Sequence, residues 1–250
     1  MYYCCGITTK GIMPHNEDSF FIHKTVMTDG SMAARLPAPF LLGVSDGVSG
    51  EQSGEVASRL CLTLISNIRF SKKTNMKRKL QDVHKLLAQY GSESAETRNM
   101  QATFCGVGVD DNDLLHFYNV GDSRLYRYRN GKLKQLSADQ TLVQMLYNEG
   151  TITKDEQKKH RFRHIISPVM GNVSTDPTPD ITDTQEKMQY GDVLLLCTDG
   201  LSDFVTNIEM EEILALPASL PKRLEQLAAL TLKKGGKDNI TIVAMNYFDA

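Results

Sequence analysis

The chain has 250 residues, 41% of them hydrophobic and 23% charged, with Lys+Arg 28 against Asp+Glu 30 and a net charge of -2. That balance argues against a nucleic-acid or membrane partner and fits one globular domain, 1–250, with a single large core. The start, Met1-Tyr2-Tyr3-Cys4-Cys5-Gly6, lacks a basic stretch followed by an apolar one, and no apolar run matches a membrane span, so a soluble, cytoplasmic protein is expected.

In chain order, residues 2–7 and 19–23 read as short strands and residues 40–44 as a wholly apolar one. Residues 51–68 predict a helix with Val56, Leu60 and Leu64 on one stripe, and residues 79–90 a second, carrying Leu80, Val83, Leu86 and Leu87. Residues 92–99 are polar and read as a surface loop. Strands are expected at 102–109 and 114–120, joined by a turn at Asp110 to Asp113 that lacks the remaining ligands and the glycine of an EF-hand loop. A strand at 125–129 turns back through Asn130-Gly131 into 132–136. A short helix at 139–149 leads into charged surface chain at 151–164 and a loop at 168–179. A strand at 193–197, helices at 207–214 and 220–232, and a strand at 240–245 complete the reading, with Leu220, Leu224, Leu227 and Ala228 facing inward. Hairpin-like runs of strands separated by helices indicate an α+β fold with antiparallel sheets. The five cysteines, Cys4, Cys5, Cys61, Cys105 and Cys197, are odd in number and form no C-x-x-C, so reduced structural thiols are expected.

The acidic residues fall beside these strands. The run Phe40 to Ser45 leads straight into Asp46-Gly47, and Val193 to Thr198 into Asp199-Gly200. Asp238-Asn239 precedes Ile240-Thr241-Ile242, and Asn16-Glu17-Asp18 precedes Ser19-Phe20-Phe21. A single Asp-Gly is ordinary turn chemistry, with glycine allowing a sharp bend. Four acidic sites at the edges of apolar strands ask for another reason, because converging buried carboxylates repel one another. A divalent cation removes that conflict, and oxygen donors suit Mg²⁺ or Mn²⁺.

Read together, Asn16-Glu17-Asp18-Ser19, Asp46-Gly47-Val48-Ser49-Gly50, Gly121-Asp122-Ser123-Arg124, Leu136-Ser137-Ala138-Asp139-Gln140, Thr198-Asp199-Gly200-Leu201-Ser202-Asp203 and Asp238-Asn239-Ile240-Thr241 resemble the metal-dependent Ser/Thr phosphatases of the protein phosphatase 2C (PPM) family, in its bacterial-type, single-domain form. The resemblance implies a four-layer α-β-β-α sandwich and hydrolysis of phosphoserine or phosphothreonine by a hydroxide bridging two Mn²⁺ or Mg²⁺ ions. It assigns Asp46 to both ions, the Gly47 carbonyl to the second, and Asp199 and Asp238 to the first. Glu17 and Asp18 would hold metal-bound waters, and Asp122 and Asp203 would help hold a third, weaker ion. The implied partner is a phosphoprotein whose kinase this enzyme opposes.

Two positions depart from the family pattern. Met13 stands where an Arg often grips the substrate phosphate, leaving His15 as the nearby candidate for substrate binding; Val48 replaces a His common in eukaryotic members. A flap-like segment at about 137–170 contains Lys154, Lys158, Lys159, His160, Arg161, Arg163 and His164, read as a solvated charged face or as an attractor of anionic phosphopeptides. Two alternatives stay open at this point. One is a catalytically weak pseudophosphatase that binds phosphoproteins as a regulator, a possibility raised by Met13. The other is a serine hydrolase using Ser45, because Gly43-Val44-Ser45-Asp46-Gly47 matches a G-x-S-x-G elbow and His160 and His164 follow it.

Overall fold

In the computed structural model, residues 1–48 and 53–248 are described, apart from the side chain of Lys158. Ser49 and Gly50 of the second motif, and Glu51 at the expected start of the first helix, lie outside the described residues.

The early strands are β1 (Tyr2–Thr9), β2 (Ser19–Ile22), β3 (Thr25–Met27), β4 (Gly30–Leu36) and β5 (Phe40–Ser45). After two helices, α1 (Gly54–Ser66) and α2 (Met76–Ser92), come β6 (Phe104–Val109), β7 (Leu115–Val120), β8 (Arg124–Arg129) and β9 (Lys132–Gln135). The short helices α3 (Leu142–Asn148) and α4 (Lys154–Lys159) precede β10 (Asp180–Asp183) and β11 (Val193–Cys197). Helices α5 (Asp199–Ser202), α6 (Asn207–Leu214) and α7 (Leu220–Lys233) lead to the last strand, β12 (Ile240–Tyr247).

The strands form two six-stranded sheets, ordered β4-β1-β12-β11-β8-β9 and β10-β7-β6-β5-β2-β3. Alternation along each strand explains the layering. Phe40, Leu42 and Val44 of β5 meet Leu194, Leu196, Val243 and Met245 between the sheets. Leu41 and Phe21 point the other way, onto Ala57, Cys61, Leu62 and Leu80 of α1 and α2. Val193, Leu195 and Cys197 of β11 pack outward against Leu214, Leu224 and Leu227 of α6 and α7. The expected α-β-β-α sandwich is therefore present, and each fully buried leucine in it contributes about 2 kcal/mol. All five cysteines are buried and free.

Several elements sit where the sequence places them because local chemistry agrees with the fold. Thr206 and Glu209 form a capping box that starts α6. Asn130 and Gly131 both adopt positive φ, 51° and 77°, which closes the β8–β9 hairpin.

Other expectations are corrected. The buried stripe of α1 is Ala57, Cys61 and Ile65, while Val56, Leu60 and Leu64 are half-buried at its margin. Both stripes have helical spacing, and the sheet takes the one that lets α1 lie closer. Strands β3, β4 and β10 went unseen, since their residues are largely exposed or polar and they exist through pairing at sheet edges. The charged stretch at 151–164 contains α4, opened by a Thr153–Glu156 capping box. Asp199-Gly200 begins the one-turn helix α5 instead of a simple turn. Finally, β7 and β8 follow one another closely but join different sheets, so the intervening Gly121-Asp122-Ser123 crosses from one sheet to the other.

Candidate active site

The acidic motifs converge because antiparallel register brings alternate strand starts and ends to one edge. Ser19 pairs with Ser45, which places Asp18 beside Asp46 on the second sheet. Cys197 pairs with Ile242 and with Arg124, which sets Thr198-Asp199 between Asn239 and Ser123 on the first.

A layer of hydroxyls and amides stitches the two edges together. The Thr198 hydroxyl donates to Asp18 Oδ2 at 2.7 Å and accepts the Thr241 N–H at 3.2 Å. Thr241 and Thr8 share a hydrogen bond of 2.6 Å between their hydroxyls. The Asp46 N–H donates to the Thr103 hydroxyl at 2.9 Å, and that hydroxyl meets Ser123 Oγ at 2.8 Å. The Glu17 N–H donates to Asn239 Oδ1 at 2.8 Å, and the Asn239 amide donates to the His15 carbonyl at 2.8 Å. These Thr, Ser and Asn side chains escaped the sequence reading, although Thr198, Thr241 and Asn239 lie inside the motifs beside the acids.

The glycines after the acids serve close approach and not the sharp bend expected of them. A Cβ on Gly47 would run into the Gly54 carbonyl at the start of α1, and one on Gly200 into the Asn239 carbonyl. Neither glycine is among the residues with positive φ. The chain after Asp46 is thus pressed against α1, and the chain after Asp199 against the Asp238-Asn239 corner.

The electrostatics follow from this convergence. Burial, and then Asp18, Asp199, Asp122 and Asp238, push the Asp46 carboxyl well above the usual range. Asp199 is raised likewise, by burial and then by Asp122, Asp238, Asp203 and Asp18. Burial lifts Asp18 to about 7 even though hydrogen bonds from Thr198 and Thr241 oppose it. Asp122 is also raised to about 7, by burial and then by Asp139. Burial raises Glu17 and Asp238 as well, with Asp238 adding to the effect on Glu17 and His15 opposing it.

The donor set fits divalent metal ions. The buried atoms Asp122 Oδ1 and Asp199 Oδ1 have no hydrogen-bond partner. Among the described residues, the ion pairs formed by Lys, Arg and His leave out Asp18, Asp46, Asp122, Asp199 and Asp238. Carboxylates crowded in this way are stable in the ionised form only around a cation, and oxygen donors select a hard one. Asp203 lies one turn beyond Asp199, its N–H donating to the Asp199 carbonyl at 2.9 Å. His15 and Met13 are both exposed on the loop between β1 and β2.

The flap borders the same cleft. Arg124 grips Asp139 at its base with hydrogen bonds of 2.9 and 2.6 Å. Gln140 Oε1 accepts the Gly121 N–H at 2.9 Å, tying the base to the crossover that carries Asp122. Where the flap returns, Met170 bridges to Ala102, which also bridges to Gly47. His164 comes to lie beside Asp199 and Asp203, a placement that no motif indicated. The Ser45 alternative fails here, because its hydroxyl is wholly buried and donates to the Thr103 carbonyl at 2.6 Å.

Two sheets flanked by helices, with carboxylates gathered at the strand ends, define a metal-dependent phosphatase architecture. The protein phosphatase 2C family model matches residues 22–235, and the chain belongs to that family. It is 29% identical over 246 residues to the serine/threonine phosphatase stp of Listeria welshimeri, covering 94% of this chain and 92% of that one. The serine/threonine phosphatase of S. agalactiae shares the fold, with a TM-score of 0.86 at 23% identity over 99% of this chain and 100% of that one. The catalytic domain of the serine/threonine protein phosphatase PstP, solved with two manganese ions, matches with a TM-score of 0.78 at 26% identity over the whole of both chains. These relatives favour an enzyme over the pseudophosphatase alternative. Among the described residues, no helix is long and apolar enough to cross a membrane.

Proposed function

We propose that this protein hydrolyses phosphoserine and phosphothreonine in phosphoproteins with the help of two Mn²⁺ or Mg²⁺ ions. The observation that carries the reading is the convergence of Asp18, Asp46, Asp199 and Asp238 from both sheets on one cleft, each raised by burial and by charged neighbours. Asp46 would hold both ions, the Gly47 carbonyl would add to one, and Asp199 and Asp238 would hold the other. Asp122 and Asp203 would help hold a third, weaker ion. The bound ions supply an acidified water as nucleophile and positive charge opposite the phosphoryl oxygens.

The chain's own contribution is position. Asp46 is held through its amide on Thr103, and Asp199 through the tight approach of Gly200 to Asn239. Asp18, fixed by Thr198, and Glu17, fixed through its backbone on Asn239, orient water in the cleft. His15 lies close enough to Glu17 to oppose the rise in its pKa, which supports a role at the mouth where substrate phosphate arrives. The flap at about 137–170, with exposed Arg161 and Arg163, attracts the acidic phosphopeptide. We read the chain as one domain, since one cluster of buried side chains is shared by both sheets. The physiological role is opposition to a Ser/Thr kinase. The five free thiols support a reducing, cytoplasmic setting, and the balanced charge supports the lack of a nucleic-acid or membrane partner.

The test is hydrolysis of a phosphothreonine peptide with and without Mn²⁺, using Asp46→Asn as control. Turnover that requires Mn²⁺ and disappears in the variant is expected; near-normal turnover by Asp46→Asn would refute the assignment of Asp46.

A further inference from the structure

One side chain at the cleft comes from neither the strand-end pattern nor the family motifs. His164, on the flap, offers a ring nitrogen that lies with carboxylate oxygens of Asp199 and Asp203 in a group whose members are all within 4.8 Å of one another. Asp122 faces the same group, acting electrostatically on Asp199 and feeling Asp203. It is only 7% exposed, and its Oδ1 has no partner, nor does the buried Oδ1 of Asp199. The backbone fixes where the imidazole stands. The Leu142 N–H donates to the Ile165 carbonyl at 2.9 Å, the Ile165 N–H to Phe162 at 3.1 Å and the Ser167 N–H to Gln140 at 3.0 Å. The adjoining Ile166 is bridged to Thr141. A nitrogen donor carried by the flap is therefore set against oxygen donors carried by the sheets.

We propose that His164 adds a nitrogen donor to the weaker third site at Asp203, making with Asp199 a mixed nitrogen–oxygen site that takes a transition-metal dication in preference to Mg²⁺ and so latches the flap to the strand ends. The proposal rests on the two-metal reading, because Asp199 serves both. The preference follows from ligand chemistry. Imidazole suits the later first-row ions, whose affinity for such sites rises towards Ni²⁺ and Cu²⁺, whereas Mg²⁺ keeps oxygen ligands and several of its waters. Simple attraction between a histidine and nearby carboxylates would hold the flap without regard to which metal is present. The latch makes flap order depend on metal identity.

Arg161 and Arg163 are exposed on the same segment, so trypsin reports its order directly. The experiment compares wild type, His164→Gln and Asp203→Asn, measuring Ni²⁺ and Mg²⁺ affinity by calorimetry and the rate of tryptic cleavage after Arg161 and Arg163. Wild type is expected to bind Ni²⁺ and to resist cleavage with Ni²⁺ but not with Mg²⁺. In both variants Ni²⁺ affinity should fall by roughly tenfold or more and the protection should be lost. Equal Ni²⁺ affinity and equal protection in wild type and His164→Gln would overturn the latch, while Mn²⁺-dependent turnover of a phosphothreonine peptide by wild type would leave the two-metal reading standing. Absence of both Mn²⁺ binding and turnover in wild type would overturn that reading and the latch with it.

Discussion

Asp18 and His164 reach one cleft from opposite surroundings. Asp18 is 2% exposed, joined to Thr198 across the gap between the sheets, and backed by strands whose side chains fill the central core. His164 is exposed on a segment fastened by a few backbone hydrogen bonds and by the Arg124–Asp139 grip at its base. The difference separates two tasks. Groups that must hold a fixed geometry stand on strand ends, where displacement would disturb a close-packed core. Groups that meet a variable partner stand on chain that can shift at little cost.

The largest expected effect comes from striking the rigid side. Asp46→Asn should lower turnover by roughly a thousandfold or more, the loss of several kcal/mol of charge stabilisation. The same change should leave the melting temperature of the metal-free protein unchanged or higher, because it removes a buried repelling charge. A large drop in melting temperature would show that Asp46 is structural. Gly200→Ala drives a methyl group into the Asn239 carbonyl and should destabilise by about 3 kcal/mol in urea unfolding, with activity falling in step. A stability change below about 0.5 kcal/mol would mean that the corner is as adaptable as the flap.

The loop just beyond the flap's return offers a gentler test. His84 is buried on α2, and its Nδ1 accepts the Gly171 N–H at 3.0 Å. Burial lowers its pKa below the ordinary 6.5, with Asp176 opposing. A lowered folded value stabilises the neutral ring, so its contribution is present above 6.5 and lost as pH falls through the folded value. Melting temperature should therefore drop more steeply below this point in wild type than in His84→Gln; parallel curves would count against the contact.

On the flap itself, Arg161→Gln with Arg163→Gln should raise KM for an acidic phosphopeptide about threefold at low salt, and the effect should vanish in high salt. Persistence at high salt would point to a direct contact instead of long-range attraction. Smallest is Met13→Arg, which should lower KM for a small phosphorylated substrate by about twofold, since the loop is exposed and the added guanidinium remains solvated. An unchanged or raised KM would show that this position no longer faces substrate.

What the sequence determined by itself was whatever depended on local pattern. Strand β5 is apolar from Phe40 to Val44 and runs through Ser45 into Asp46-Gly47, α6 carries its own capping box, and Asn130-Gly131 can close a tight hairpin in almost any context. The spacing of acids beside apolar strands therefore revealed most of the candidate site. Tertiary structure decided the rest, because edge strands such as β4 and β10 exist only by pairing, and the choice between two helical stripes on α1 depends on which packs closer. It also decided that Gly121 and Asp122 cross between sheets instead of turning a hairpin, and that His164 comes to lie beside Asp199. Residue patterns record what a segment can bury, whereas the distance between residues far apart in the chain is set only when the sheets close on one another.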